Sequence, residues 1–467
     1  MSRNVRRRQV IRGIGAAGIA GLAGCASNDD GGDGDGGGDG DSGGDGSGDG
    51  GGDGDGGMTT TGDMGGGEVG PDVLNVIGYP TSGVQLFRDF YSEYSADDVD
   101  IVVPDGMRDA EMQAEVGNPM ENVVGTAPAG NGPNYDTFTS MYEDEYGDSP
   151  GVFTSQTFDA VAILILANAA AGKNSGQAVR DQIRRVANPG GMEVGPDNLV
   201  EGVNAAANGE DVDYRGASST TDFDQRGDPA AAAYNVWEFA PDTDAGTENI
   251  DTISFQAEPG GDMADEAPGG TDRTVMVGLI LPESGDLAPV GAAMISAGEL
   301  AAQVVSEGDA NVDVDLAFED TQTDPQAGIS AAESLINEGY PCIAGPASSG
   351  VNVPVSKQVF IPNEVVGCSP SSTALSVSFL EDDDYVFRTA PSDLLQGQVM
   401  AQVAAERVGA ESTSTMYVNN DYGQQLSDQY TTSFTEDHDG EALHTVAFEK
   451  QQSSYSSRIQ EALSSSS

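Results

Sequence analysis

Two hydroxyl clusters stand where small-molecule chemistry could occur. Ser348-Ser349 and Ser371-Ser372-Thr373 each follow a short apolar run and precede a helix-like stretch. Hydroxyls beside the free N–H groups of a helix start can receive a carboxylate. Asp105, in the run VVPDGM after another apolar segment, offers a fixed carboxylate for a cation. Tyr79 and Tyr422 close similar runs and could supply aromatic wall. A small solute carrying both a carboxylate and an ammonium needs these three things. Each residue also has a plainer reading. The hydroxyls could cap their helices, Pro104-Asp105-Gly106 could be only a turn, and the tyrosines could be packing.

Covalent catalysis has no such candidates. Neither histidine, His438 or His444, stands near a plausible nucleophile, and their context predicts surface positions. No G-x-S-x-G elbow or H-E-x-x-H occurs. Acidic pairs are so frequent that they carry no information. Binding without chemistry is the expectation, with no cofactor and no metal. Cys342 and Cys368 fall in predicted strands and could form one disulfide or remain two buried thiols.

Charge narrows the partners. Lys plus Arg number 19 against 77 Asp plus Glu, a formal net charge of −58 over 467 residues. Such a chain does not track nucleic acid or dock by charge on an anionic membrane. About a dozen of the acids lie in the tract from Asp29 to Glu68, so most belong to the remainder. Self-repulsion on this scale is tolerable where molar salt shortens the Debye length to about 3 Å. A hypersaline milieu is the reading, since apolar-periodic segments argue against a disordered acidic chain.

The first 24 residues read as an address. Arg6-Arg7-Arg8 precede an apolar stretch too short to span a bilayer, and Leu22-Ala23-Gly24-Cys25 follows. The pair of features resembles a twin-arginine export signal with a lipobox, placing lipid on Cys25. The G-x-G-x-x-G at 13–18 has no preceding strand and is dismissed. Residues 25–70, rich in Gly, Asp and Ser, are expected to be a disordered tether.

Beyond residue 70, apolar runs alternate with amphipathic stretches, which argues for α/β architecture with parallel sheets. Strands are predicted at 73–77, 100–103, 122–125, 274–281, 312–318, 342–344, 365–368, 414–418 and 443–448. Helices are predicted near 84–94, 292–306, 325–337, 353–360, 395–407, 424–435 and 456–463, with a longer apolar helix at 158–171. Residues 213–216, 234–239 and 252–255 read as short antiparallel strands. A Pro/Gly/Asp-rich linker, 256–273, separates block 71–255 from block 274–467. Neither block looks complete alone.

The second block is similar to a known family. TVMVGLILPESGDLAPV from Thr274, FEDTQTDPQAG from Phe318, GPASSG from Gly345 and CSPSST from Cys368 occur in order. NNDYG from Asn419 and YSSRIQEAL from Tyr455 follow. Together they resemble the amino-terminal half of type I periplasmic solute-binding proteins, which serve ABC importers of branched-chain amino acids and amides. The expected continuation is VLNVIGY, found at 73–79. Joining Ser467 to Pro71 reads without a seam. Block 71–255 thus resembles the family's carboxy-terminal half placed first, a circular permutation.

The resemblance implies two Rossmann-like lobes joined by a three-crossing hinge, with solute held between them. One lobe would comprise 274–392 with 132–190, the other 393–467, 71–131 and 191–255. It implies that Ser348, Ser372 and Thr373, with Ser349 beside them, hold the solute carboxylate and part of its ammonium. Asp105 stands where the family more often has Glu for the ammonium, and Tyr79 and Tyr422 match wall positions. Phe153 and Phe158 are weaker wall candidates. Val290 departs from the aromatic residue often found there. The implied partners are a small solute (an amino acid or amide) and ABC permease subunits. A lipid anchor at Cys25 would hold the protein to the outer face of the cytoplasmic membrane. A ligand sensor, or a surface or scaffolding protein of the same fold with no transport role, is the alternative.

Overall fold

In the computed structural model, residues 70–240, 243 and 246–465 are described. The expected export signal, nearly all of the expected tether, Cys25 and the 13–18 motif lie outside them. Aliphatic and β-branched runs supply the strands, and most of the parallel ones are followed by a helix that carries the chain back. In chain order the first part is β1 (Val73–Ile77), α1 (Pro80–Glu93), β2 (Asp100–Val103), α2 (Met112–Val116) and β3 (Val123–Pro128). Next come α3 (Tyr135–Tyr146), α4 (Thr154–Ala171), α5 (Gly176–Ala187), β4 (Met192–Val194), α6 (Leu199–Ala207) and β5 (Val212–Tyr214). β6 (Ala231–Phe239) and β7 (Thr247–Gln256) form an antiparallel pair.

The second part begins with β8 (Thr274–Leu281), α7 (Ala288–Glu307), β9 (Asp313–Asp320), α8 (Pro325–Glu338), β10 (Cys342–Ala344) and α9 (Ser349–Val355). It continues through β11 (Val366–Ser369), β12 (Val386–Arg388), α10 (Asp393–Gln402), β13 (Ser412–Val418), α11 (Asp421–Glu436), β14 (Glu441–Phe448) and α12 (Ser456–Ala462). Local chemistry sets several ends. The Asp324 carboxylate accepts from the N–H groups of Gln326 and Ala327 at 2.9 Å, Pro325 opens α8, and Gly339 closes it at φ +97°.

The strands form two main sheets. One has five strands in the order β12-β11-β10-β8-β9, all parallel. The other has seven in the order β14-β13-β1-β2-β3-β6-β7, parallel except that β6 runs antiparallel to both β3 and β7. β1 therefore sits inside a sheet whose neighbouring strand on one side comes from the far end of the chain: Val73 to Ile77 pair with Thr413 to Tyr417. This interleaving is why neither block is complete alone.

Each sheet has its own core. Every residue of α4 is buried, Asp159 and Asn168 included, because it packs on β8 and β10 and between α5, α6 and α7. Val194, Leu199, Val203, Val212 and Tyr214 join that core. Residues 191–223 therefore belong to the five-stranded lobe, not to the other lobe as expected. The apolar face of α6 has α4 and α7 as its partners. β5 is also not antiparallel: it pairs in parallel with β4, Met192 to Val194 against Val212 to Tyr214. A separate core, from Val73 to Ala127, Ala232 to Trp237 and Val399 to Ala462, belongs to the seven-stranded lobe.

The chain crosses between lobes near residues 129–132, 228–231 and 389–393. The linker makes a fourth passage beside the second of these, with the Ala257 N–H donating to the Ala230 carbonyl at 2.7 Å. It is laid down on the five-stranded lobe. The Gly260, Gly269 and Gly270 amides donate to Phe223, Ala170 and Ala207, and Arg185 and Gln182 donate to the carbonyls of Ala264 and Glu266. Cys342 and Cys368 are both free and buried, so the disulfide alternative is not realised.

Candidate functional site

The carboxyl ends of both sheets face a single cleft, the general place for ligands in open α/β sheets. From the five-stranded lobe, β10 delivers Ser348 and Ser349, and β11 delivers Ser371, Ser372 and Thr373. From the seven-stranded lobe, β1 delivers Tyr79, β2 delivers Asp105 and β13 delivers Tyr422. A narrow cavity of about 20 Å³ lies between them, about the room of one water in the shut cleft. Its wall includes Tyr79, Asp105, Ser348, Ser349, Ser371 and Tyr422. Ser372 and Thr373 stand behind that wall.

The hydroxyls are not simple helix caps. Ser348 precedes α9 but its side chain makes no capping bond. Its Oγ meets the Tyr79 hydroxyl at 2.9 Å, across the cleft. Ser349 Oγ accepts from the Ala374 N–H and the Ser372 hydroxyl, each at 3.1 Å. Arg388, wholly buried, fixes the same loop: its Nη1 donates to the carbonyls of Ser372 and Ala374 at 3.0 Å, and its Nε to Asp228 at 2.6 Å.

Tyr79 is the meeting point of the lobes. Asn420 Nδ2 donates to its hydroxyl at 2.9 Å, and its ring stacks on Tyr422 with centroids 5.6 Å apart. Burial raises the Tyr79 hydroxyl above its usual pKa, so it stays protonated. Further contacts hold the mouth shut. Ser82 donates to both Asp286 oxygens at 3.0 and 2.8 Å, and Lys450 Nζ donates to the Thr323 carbonyl at 2.7 Å. Asn420 and Asp286 were not singled out in the sequence. A helix-start Asn and an acid after Ser-Gly are too common to mark.

Asp105 is buried, and one of its oxygens has no hydrogen-bond partner among the described residues. Burial pushes its carboxyl up to about 7, against weaker opposition from Gln396 and Tyr422. Gly106 lets this loop approach: a Cβ there would lie 2.3 Å from the Gly78 carbonyl and 3.0 Å from the Tyr422 hydroxyl. Asp393, which opens α10, is a second acid that sequence reasoning missed. It is wholly buried and neither carboxylate oxygen is paired among the described residues. Burial, then the charge of Asp105, raises it well above the carboxylate range.

The apolar side of the cavity is Phe153, Leu287, Val290 and Met294. Phe153 reaches it from a backbone held at φ +62°, unusual for a large side chain. Phe158 does not reach it and packs in the core against Phe138, centroids 5.3 Å apart. Among the described residues no group of three or more His, Cys, Asp or Glu could hold a metal ion. The arrangement can hold a small amphipathic solute by its polar end. It offers no nucleophile with a base.

Comparison with known proteins places part of this chain. Residues 274–466 match the family model described as periplasmic binding protein. A Leu/Ile/Val-binding protein homolog of Brucella melitensis is 30% identical over 160 residues, 33% of this chain and 42% of that protein. An uncharacterized protein of Methanocaldococcus jannaschii is 31% identical over 188 residues, 38% of this chain and 42% of that protein. Among solved structures, the leucine-binding protein LivK of Thermotoga maritima aligns at 25% identity over 40% of this chain and 52% of that chain, TM-score 0.36. The chain thus spans less than half the length of the curated relatives it matches. The matched stretch, residues 274–466, supplies the whole five-stranded sheet and β13 and β14 of the seven-stranded one.

Proposed function

We propose that this protein is the solute-binding component of an ABC importer. It captures a branched-chain amino acid or a related small polar solute between its lobes and delivers it to a permease. The observation that carries this reading is the shut cleft. Ser348 of one lobe and Tyr79 of the other bond over a cavity that has Asp105 and a serine-rich loop on its polar side and aliphatic side chains opposite. Closure of two lobes about a hinge is a sufficient mechanism. Relatives named for Leu, Ile and Val binding agree with it.

The export signal at 1–24, lipid on Cys25 and a tether over 25–70 complete the reading, with the protein outside the cytoplasmic membrane in a saline milieu. The segments 71–255, 256–273 and 274–467 are a circular permutation of the family order. The pairing of β1 with β13 supports that order. So does the closeness of Gly70 to the carbonyl of Leu463, which a Cβ on Gly70 would approach to 2.8 Å. The test is thermal unfolding of the full chain in molar KCl with amino acids and amides at millimolar concentration. A solute at 100 times its dissociation constant stabilises by about 2.7 kcal/mol. A selective rise in Tm, abolished for amino acids by Asp105→Ala, is expected. A cooperative melt that no solute shifts would favour a surface or scaffolding role instead.

A further inference from the structure

Two fully buried carboxylates in this protein are treated in opposite ways. Asp159, in α4, receives the Tyr214 hydroxyl at 2.8 Å, the Ala217 and Ser218 amides at 3.0 and 2.7 Å, and the Ser218 hydroxyl at 2.5 Å. Its charge is met by donors, as a structural buried acid requires. Asp393 is equally buried, yet neither of its oxygens is bonded among the described residues. It stands at a lobe crossing beside the solute loop, its own N–H donating to the Thr373 carbonyl at 2.8 Å.

The surroundings of Asp393 are short of cations and rich in idle oxygens. Asp105 faces it from the loop after β2, Tyr234 from β6, Tyr422 from α11 and Arg388 from β12. Arg388 is the sole cation of that set, and its guanidinium is already engaged by Asp228, Ser378 and two carbonyls. The Thr373 hydroxyl lies within reach of Asp393 and favours its charged form, yet makes no hydrogen bond of normal geometry. The Gln396 carbonyl and the Tyr422 hydroxyl are buried and unbonded in the same recess. A shut cleft that held two bare carboxylates here would be costly, so some positive charge belongs in it.

Resting on the solute-binding reading above, we propose that Asp393 is a positioning residue of the solute site. In the shut, empty cleft Asp393 and Asp105 together hold one proton. When solute binds, an ammonium takes that place, donating to Asp105 and to Thr373, whose own hydroxyl proton turns to Asp393. The displaced proton leaves to solvent, so the balance is one cation in and one proton out. The solute class follows: it carries an amino group, and the same skeleton with a hydroxyl in that place is a poor ligand. The raised carboxyl of Asp105, about 7, puts this exchange within the neutral range.

The test is calorimetric titration of the full chain in molar KCl near pH 6.5 with L-leucine, L-valine, L-glutamate and L-lysine. Two buffers of different ionisation enthalpy give the protons released. The wild type is expected to release close to one proton per amino acid bound. Its affinity should exceed that for the matching 2-hydroxy acid by at least a hundredfold. Asp393→Asn should lose most of the proton release and narrow the gap to the hydroxy acid, and Asp393→Glu should restore part of both. A second readout needs no variant. Infrared difference spectra of the wild type should show a protonated-carboxyl band disappearing as the amino acid binds, and its persistence overturns the proposal. Asp393→Asn with unchanged affinity and proton release overturns it alone. A wild type that binds neither these amino acids nor any amide overturns the solute-binding reading and this inference together, whereas one that binds an amide but none of the four overturns this inference alone.

Discussion

The two lobes reach similar architecture by different routes. All five strands of the smaller sheet come from one stretch, Thr274 to Arg388, joined by the local helices α7, α8 and α9. The larger sheet is interleaved: β13 and β14, from the chain's far end, join β1, β2 and β3 from its beginning. The hydrogen bond from the Thr413 hydroxyl to the Val73 carbonyl spans 340 residues of sequence. Yet the five-stranded lobe is no more self-sufficient, since α4, its central helix, comes from the first block. Continuity of a sheet along the sequence and independence of a lobe are thus separate properties.

The strongest way to break this comparison is to cut the chain. Fragments 71–255 and 274–467 alone are each expected to lack a cooperative melting transition. The first leaves α4 without its sheet and the second leaves β13 without β1. Mixed in molar KCl, they should regain one. A fragment 274–467 that melted cooperatively by itself would show that the five-stranded sheet can dispense with α4.

Next in size is a pair of polar changes, one per lobe. Arg388→Ala in the five-stranded lobe takes the guanidinium away from the Asp228 carboxylate and two loop carbonyls, and should cost about 3–5 kcal/mol in denaturant unfolding. It should weaken solute binding as well. Asp72→Ala removes bonds to the Glu411 and Ser412 amides where β1 meets β13. These are exposed, so about 1 kcal/mol or less is expected. A larger loss from Asp72→Ala would mean that the interleaved junction is the weaker part of the fold.

The cleft responds to pH. The Asp105 carboxyl is raised to about 7 in the fold from about 3.9 in the unfolded chain. The fold therefore holds the proton more tightly, and the stability linked to it is complete below about pH 4 and is lost as pH rises through about 7. Solute-free Asp105→Asn should match the wild type near pH 4. At pH 8 it should exceed it by up to about 4 kcal/mol. Urea unfolding at both pH values tests this, and an equal difference at each would refute it. The smallest expected effect is Tyr79→Phe, which removes the hydroxyl shared by Ser348 and Asn420. It should weaken closure by about 1 kcal/mol, seen as a several-fold rise in solute Kd with little change in Tm.

Strand positions were the most legible part of the sequence. The predictions at 73–77, 100–103, 274–281 and 342–344 coincide with β1, β2, β8 and β10, because buried parallel strands are unbroken aliphatic runs. α3, α5 and α6 were not recognised. Their apolar faces are short, and two of them are largely alanine or polar residues whose partners lie elsewhere.

Chemical type and local order were thus set by sequence alone: α/β elements, a serine-rich loop, an acid after β2, a tyrosine after β1. Only the tertiary structure decided that 191–223 joins the five-stranded lobe, that Ser348 meets Tyr79 rather than capping α9, and that Asp393 is left bare within the field of Asp105. The reason is physical. Periodicity reports which face of an element is buried, whereas burial against a particular partner, and the loss of water from a particular carboxylate, depend on residues hundreds of positions away.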